Sequence, residues 1–241
     1  GFNGEPGMKG TAGRIPRGPR TQIHPMTVVT GVMCRSIRDI CRYYDVTAGY
    51  DSRDPYSLPK VEGWEHHLGS YLKDLRGAKV AIVPDLGVAK VNPAVADMVR
   101  EAGEFLALDV GLQVVDLELS FPGLGYEWAL GNLASLYADL EGLWPDCREQ
   151  LTNEISFGLG IAQKHYSLDM MARSETARTA ANEVVAAAFD QVDFIISATN
   201  PDVAFAAETY LNLEVAGEEA GPENNGALTI PYNIVGNPSL Q

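Results

Sequence analysis

The sequence predicts an α/β fold, and three stretches carry that reading. Residues 78–83 form a short apolar run with Val80, Ile82 and Val83, closed by Pro84-Asp85 and Gly87, which is how a buried strand reads. Asn92-Pro93 supplies an N-cap and a proline at the first helical position, and Val95, Met98, Val99, Ala102, Phe105 and Leu106 then recur as one inward stripe. Gln113–Leu119 alternates, with Val115, Leu117 and Leu119 on one face and Asp116 and Glu118 on the other. Strand, helix and strand in that order require a right-handed parallel crossover.

The other elements follow along the chain. Residues 1–34 are glycine-rich with arginines interleaved, a loop composition with short extended pieces. Ser36 and Asp39 have capping-box spacing, Ile37, Ile40, Cys41 and Tyr44 recur at helical intervals, and Gly49 suits the stop, so a helix is predicted over 36–49. Residues 50–64 carry turn chemistry and lead into a short amphipathic piece around Trp64–Leu72. From 125 to about 160 the pattern is helical but broken by Pro145 and several glycines. A long helix over 167–189 is expected to turn Leu168, Met171, Val184, Val185, Ala188 and Phe189 inward. Asp193–Ala198 reads as another buried strand ending at Thr199-Asn200-Pro201, and the acidic, Gly/Asn-rich stretch 212–226 as a surface loop. There is no internal repeat. At 241 residues the chain can bury a large core, and the expectation is one domain over 1–241, with a loop-rich segment and helix in 1–60 and an α/β body in 61–241.

Composition excludes several function classes. With 46% apolar, 21% charged and 8% aromatic residues, the chain is neither disordered nor fibrous. Its 18 Lys and Arg face 32 Asp and Glu, a net charge of −14, where a nucleic-acid or anionic-membrane surface needs a cationic face. Cys34, Cys41 and Cys147 are too few and too scattered for a disulfide framework, which points to a reducing compartment. No signal-peptide pattern and no uncharged stretch of membrane-spanning length is present, so a cytoplasmic protein is expected.

Searched for chemistry, the residues themselves disclose no reaction centre. No Gly-x-x-x-x-Gly-Lys-Ser/Thr run occurs, and Gly158-Leu-Gly160 sits in a helical stretch rather than a strand-turn-helix. His24, His66, His67 and His165 lack Cys or carboxylate neighbours at ligand spacing, so no metal and no cofactor is predicted. No Gly-x-Ser-x-Gly elbow appears. Cys34 lies just before a helix N-terminus, where the dipole favours a thiolate, with His24 ten residues upstream, but nothing supplies a clear partner and it reads first as a small buried hydrophobe. Arg14, Arg17, Arg20, Arg35, Arg38 and Arg42 suit an anion, or ion pairs with the carboxylate-rich body.

Four segments carry a family resemblance. Met8-Lys-Gly-Thr-Ala-Gly-Arg-Ile-Pro16 resembles the Gly-Leu-Lys-Pro-Thr-x-Gly-Arg-hydrophobic-Pro segment of amidase-signature hydrolases. Gly31-Val-Met-Cys-Arg-Ser-Ile-Arg-Asp39, with Asp45-Val-Thr-Ala-Gly49 and Asp51-Ser-Arg-Asp-Pro-Tyr-Ser-Leu-Pro59, is similar to that family's Gly-Pro-Met-Ala-Arg-Ser-Val-x-Asp run and its Asp-Pro-x-Asp-Pro continuation. Phe194-Ile-Ile-Ser-Ala-Thr-Asn-Pro201 resembles a strand ending in Thr-Pro-Thr-x-Pro, and Pro231-Tyr-Asn-Ile-Val-Gly-Asn-Pro238 resembles Pro-Phe-Asn-x-x-Gly-x-Pro. All four stand in order and nearly span the chain. Gly10, Val32 and Asn200 depart from the family wording, which has Pro at each place.

The resemblance implies an amidase-signature fold, a mixed central sheet flanked by helices on both sides, only part of which this chain holds. It implies hydrolysis of a small-molecule amide by a Lys, a cis Ser and a nucleophilic Ser, through an acyl-enzyme. Those residues lie in the family upstream of the segment matching Gly1–Gly13, so no residue here inherits a catalytic role, and the chain is expected to be an internal piece of a longer amidase, inactive alone. Its expected share is substrate binding: Met33 and Cys34 at the loop-to-helix turn, and Thr199 and Asn200 at the carboxyl end of a buried strand, with Tyr126 and Trp128 as further candidates. Met33 as core filler and Thr199 as strand terminator remain open. The family also includes the amidase component of tRNA-dependent amidotransferases, and a non-catalytic amidase-like binding domain is a third reading. A partial sheet would leave Ile82, Val83, Ile195 and Ile196 partly uncovered and favour a homodimer.

Overall fold

The computed structural model describes residues 3–19, 28–123, 125–140, 142–209 and 211–241. In chain order its elements are β1 (Gly7–Lys9), β2 (Gly31–Met33), α1 (Ile37–Thr47), β3 (Lys79–Ile82), α2 (Pro93–Val110), β4 (Gln113–Val114) and α3 (Gly125–Asp139). There follow α4 (Asn153–His165), α5 (Leu168–Phe189), β5 (Phe194–Ile196), β6 (Glu214–Val215), β7 (Glu218–Glu219), α6 (Ile230–Val235) and β8 (Ser239–Leu240). The fold is α/β. Strands β4, β3 and β5 form a parallel sheet with β3 in the centre, and β2, β1 and β8 form an antiparallel one.

Helices cover both faces of the parallel sheet. Ile82 meets Gly103 of α2, while its neighbour Ala81, which points the other way, packs with Ala188 of α5, Val192 and Leu117. The caps form as their chemistry dictates. Ser36 accepts the Asp39 N–H and donates to the Asp39 carboxylate at 2.7 Å, and Asn92 Oδ1 accepts the Ala94 N–H at 3.0 Å. Alternation at 113–119 holds for burial, with Leu117 buried and Asp116 and Glu118 exposed, although only Gln113 and Val114 join the ladder.

Four readings change. On α2, Met98 and Phe105 are 68% and 72% exposed and Leu106 is exposed too; the buried face is Ala96, Gly103 and Ala107, because the helix lies so close to β3 that only small residues fit. On α5 the inward face is Met170, Ser174, Ala181, Val185 and Ala188, whereas Leu168 is 78% exposed and Met171 and Phe189 are also exposed. The short amphipathic piece expected from Trp64 to Leu72 is a succession of turns. The segment 212–226 is a β6–β7 hairpin and a 3-10 turn at Pro222–Asn225, with Val215, Ala220 and Asn224 buried. Ile82, Val83, Ile195 and Ile196 are half-buried.

Candidate functional site

Loops gather beyond the carboxyl ends of the parallel strands, where α/β sheets present their ligands. The β3–β5 pairing continues past the strands: Val83 N–H donates to the Ile196 carbonyl at 2.9 Å and Ala198 N–H to the Pro84 carbonyl at 3.0 Å. The chain then turns at Leu86 and Gly87, whose φ values are 53° and 64°. A Cβ at Gly87 would stand 2.0 Å from the Leu119 carbonyl oxygen, so this turn admits only glycine.

Two polar residues tie these loops together. Asp202 accepts hydrogen bonds from Asn92 Nδ2 at 2.8 Å, Val203 N–H at 2.7 Å and Ala216 N–H at 3.0 Å. Burial raises its carboxyl pKa, and these three donors outweigh that and hold it below the usual range. Asn224, buried, accepts the Lys90 N–H at 2.8 Å and donates to the Lys90 carbonyl at 2.9 Å, mimicking a strand pair. Lys90 reaches Glu218 at 2.7 Å. Between these loops lies a cavity of about 340 Å³, walled by Lys90, Phe121, Asn224, Ile230 and Pro231 among others. Its size suits a small ligand.

The four residues expected from sequence fall in two places. Thr199 is exposed and Asn200 half-buried, both just beyond β5 on the carboxyl edge, outside the lining of the cavity. Met33 ends β2 and is exposed; Cys34 donates its N–H to the Pro6 carbonyl at 3.0 Å and packs against the cluster of Ile15, Ile40, Tyr44 and Ala48. The two pairs belong to different sheets. A pairing of Cys34 with His24 involves a residue outside the described ones, as does any role of Arg20. Arg17 pairs with buried Asp54 at 3.5 Å, and Arg38 and Arg42 with Glu65 at 3.6 and 2.8 Å, so these arginines serve local ion pairs.

Sequence reading missed Lys9. Its ammonium donates to the carbonyl oxygens of Tyr232 and Asn237, joining β1 to α6, and burial lowers its pKa to about 8. The family wording places a lysine here, but its bonds are not legible locally, because its partners are backbone atoms more than 220 residues away. Among the described residues no group of three His, Cys, Asp or Glu side chains is placed to hold a metal.

The amidase family model matches residues 1–241. The chain belongs to the amidase family. Among curated amidases and their kin, the chain is 27% identical over 270 residues to a glutamyl-tRNA(Gln) amidotransferase subunit from Methanospirillum hungatei JF-1, covering 99% of this chain and 58% of that one. The subunit of the same name from Lacticaseibacillus casei is 24% identical over 268 residues, with 99% and 52% covered. In fold, the amidase chain resembles a bacterial aryl acylamidase of the amidase-signature family, with TM-score 0.83, 23% identity, and 99% and 51% covered. It also resembles 6-aminohexanoate cyclic dimer hydrolase, with TM-score 0.73, 20% identity, and 99% and 53% covered. The chain therefore spans about half the length of the relatives it matches.

Proposed function

We propose that the whole protein hydrolyses a carboxylic amide C–N bond. Water is consumed and a carboxylate is released with ammonia or an amine. The observation that carries this reading is the amidase match along residues 1–241. In the proposed mechanism a neutral Lys activates a bridging Ser, which takes the proton from a nucleophilic Ser as that oxygen attacks the carbonyl, and water then cleaves the acyl-enzyme. No residue of this chain takes those roles.

The part proposed for 1–241, as a single partial domain, is to form walls of the substrate pocket through Met33, Cys34, Thr199 and Asn200. The cavity at the carboxyl edge of the parallel sheet, which none of these four lines, supports a ligand on the side of the molecule that holds Thr199 and Asn200. A small-molecule amide, a homodimer and a cytoplasmic setting complete the proposal, without nucleic acid, membrane or cofactor. Its support is the net charge of −14 and the fact that no described helix is long and apolar enough to cross a membrane.

One observation favours a second reading, a component of a tRNA-dependent amidotransferase: the relatives from Methanospirillum hungatei and Lacticaseibacillus casei carry that name. The test is intact mass and ammonia release for the protein as its source produces it. A mass well above 26.0 kDa with release from simple amides supports hydrolysis. Release from glutamine only with partner chains moves the assignment to the amidotransferase. No release from either, with ligand retained, leaves a non-catalytic amidase-like binding domain.

A further inference from the structure

A second cavity, of about 290 Å³, lies between α3 and α5, on the side of the molecule built by the helices rather than by the strand ends. Trp128, Gly131, Ala134 and Ala138 line it from α3; Met171, Ser174, Glu175 and Arg178 line it from α5, with Tyr166 at the end of α4. Three of its polar groups lack partners among the described residues. Ser174 is only 8% exposed, yet its hydroxyl, which in a helix ordinarily bonds the carbonyl four residues back, makes no hydrogen bond. The Tyr166 hydroxyl is likewise unbonded, in surroundings dry enough to raise its pKa. The Trp128 Nε1–H is fully buried and has no acceptor. Leaving the Trp128 N–H unsatisfied costs free energy, and natural sites do so where a ligand completes them, while the Ser174 and Tyr166 hydroxyls stand ready to donate to the same ligand.

The charges at this cavity are already balanced. Arg178, 15% exposed, holds Glu175 at 2.8 Å, so a carboxylate entering here would add an uncompensated charge to a mostly apolar space. The walls of Trp128, Met171 and small residues leave room for one ring. The geometry points to a binding site for a ring-sized neutral ligand with a carbonyl-type acceptor, its ring against Trp128 and Met171 and its oxygen bonded by Ser174 and Tyr166. The inference rests on this chain's own residues rather than on the proposed hydrolysis, and its test uses ligands that cannot be hydrolysed.

In a nitrogen-15 spectrum of the whole protein, Trp128→Phe assigns the indole N–H signal of interest. Acetophenone is expected to shift the Trp128 signal saturably with a Kd of about 1 mM, as nine heavy atoms allow. Ethylbenzene, which lacks the acceptor, and benzoate, which adds a charge, are expected to bind about 5-fold more weakly or worse. Ser174→Ala should weaken acetophenone by about 5-fold while leaving the unfolding midpoint unchanged, since that hydroxyl supports nothing in the fold. Ala138→Phe, at an exposed lining position, should abolish the shift by filling the cavity. No shift at millimolar acetophenone, a shift at Trp64 or Trp144 instead, or binding that survives Ala138→Phe overturns the site. Equal binding of ethylbenzene overturns the acceptor, and tighter binding of benzoate overturns the neutral ligand.

Discussion

Gly103 of α2 and Ile82 of β3 face each other so closely that a Cβ on Gly103 would stand 2.9 Å from Ile82 Cδ1 and 3.1 Å from Cγ1. The contact sets the distance between helix and sheet, and a glycine in mid-helix is retained against its own propensity to secure it.

Replacing Gly103 therefore opposes two effects. Alanine gains about 1 kcal/mol of helix propensity but overpacks a core contact, at about 1–3 kcal/mol. The expected result for Gly103→Ala is a net loss of about 1 kcal/mol in urea unfolding, and Gly103→Leu should not fold. Adding Ile82→Val to Gly103→Ala should recover part of the loss, because it removes the methyl nearest the new Cβ. A Gly103→Ala protein more stable than wild type would show that α2 is not seated on β3 as described.

Asp54 offers a second test. Its buried carboxylate accepts the Arg17 N–H at 2.9 Å and the Tyr56 N–H at 3.1 Å and faces the Arg17 guanidinium at 3.5 Å. Burial raises its pKa, and the two backbone donors and Arg17 bring it below the ordinary value on balance. Asp54→Leu should cost about 3 kcal/mol, since it strands both N–H groups and the guanidinium. Because the folded pKa is depressed, the stabilisation is present above the ordinary carboxyl pKa and is lost as pH falls through the folded value. An acid unfolding curve for Asp54→Leu that parallels wild type would remove Asp54 from the account.

Lys9 and Tyr232 titrate in opposite senses at one seam. Burial lowers Lys9 to about 8 and raises the Tyr232 hydroxyl to about 12. Between pH 8 and the ordinary lysine value of 10.5 the unfolded chain binds the extra proton, so the Lys9 contribution to stability rises with pH. Between 10, the ordinary tyrosine value, and about 12 the folded chain keeps its phenolic proton, so the Tyr232 contribution falls. The difference in unfolding free energy between wild type and Lys9→Met should rise from pH 8 to 10, and the difference from Tyr232→Phe should fall above pH 10. Flat difference profiles would place both groups in contact with solvent.

Much of this protein was legible in its residues because local chemistry needs no distant partner. The Ser36 and Asn92 caps, the helices they open, the alternation at 115–119 and the strand at Phe194–Ile196 all follow from short-range pattern, as does the family wording around Met8, Gly31, Phe194 and Pro231. Where a helix turns its faces was decided elsewhere. The α2 and α5 stripes were placed only in part, with Val95, Val99, Val185 and Ala188 inward but Met98, Phe105, Leu168 and Phe189 outward, because apolarity alone does not say which apolar side is close enough to a sheet to require glycine or alanine.

The candidate site shows the same division. Thr199 and Asn200 could be placed at the sheet's carboxyl edge because strand order implies that edge. The cavity beside Lys90, the Asn224 clamp, the Asp202 junction and the unbonded Ser174 hydroxyl could not, since each depends on segments far apart in the chain meeting in space. By itself the sequence determined the α/β class, the capped elements and the amidase kinship, which are properties of residues and their near neighbours. Only the tertiary structure decided which groups are dry, which donors lack acceptors and where the chain leaves room for a ligand, because burial and hydrogen-bond satisfaction are properties of the packed whole.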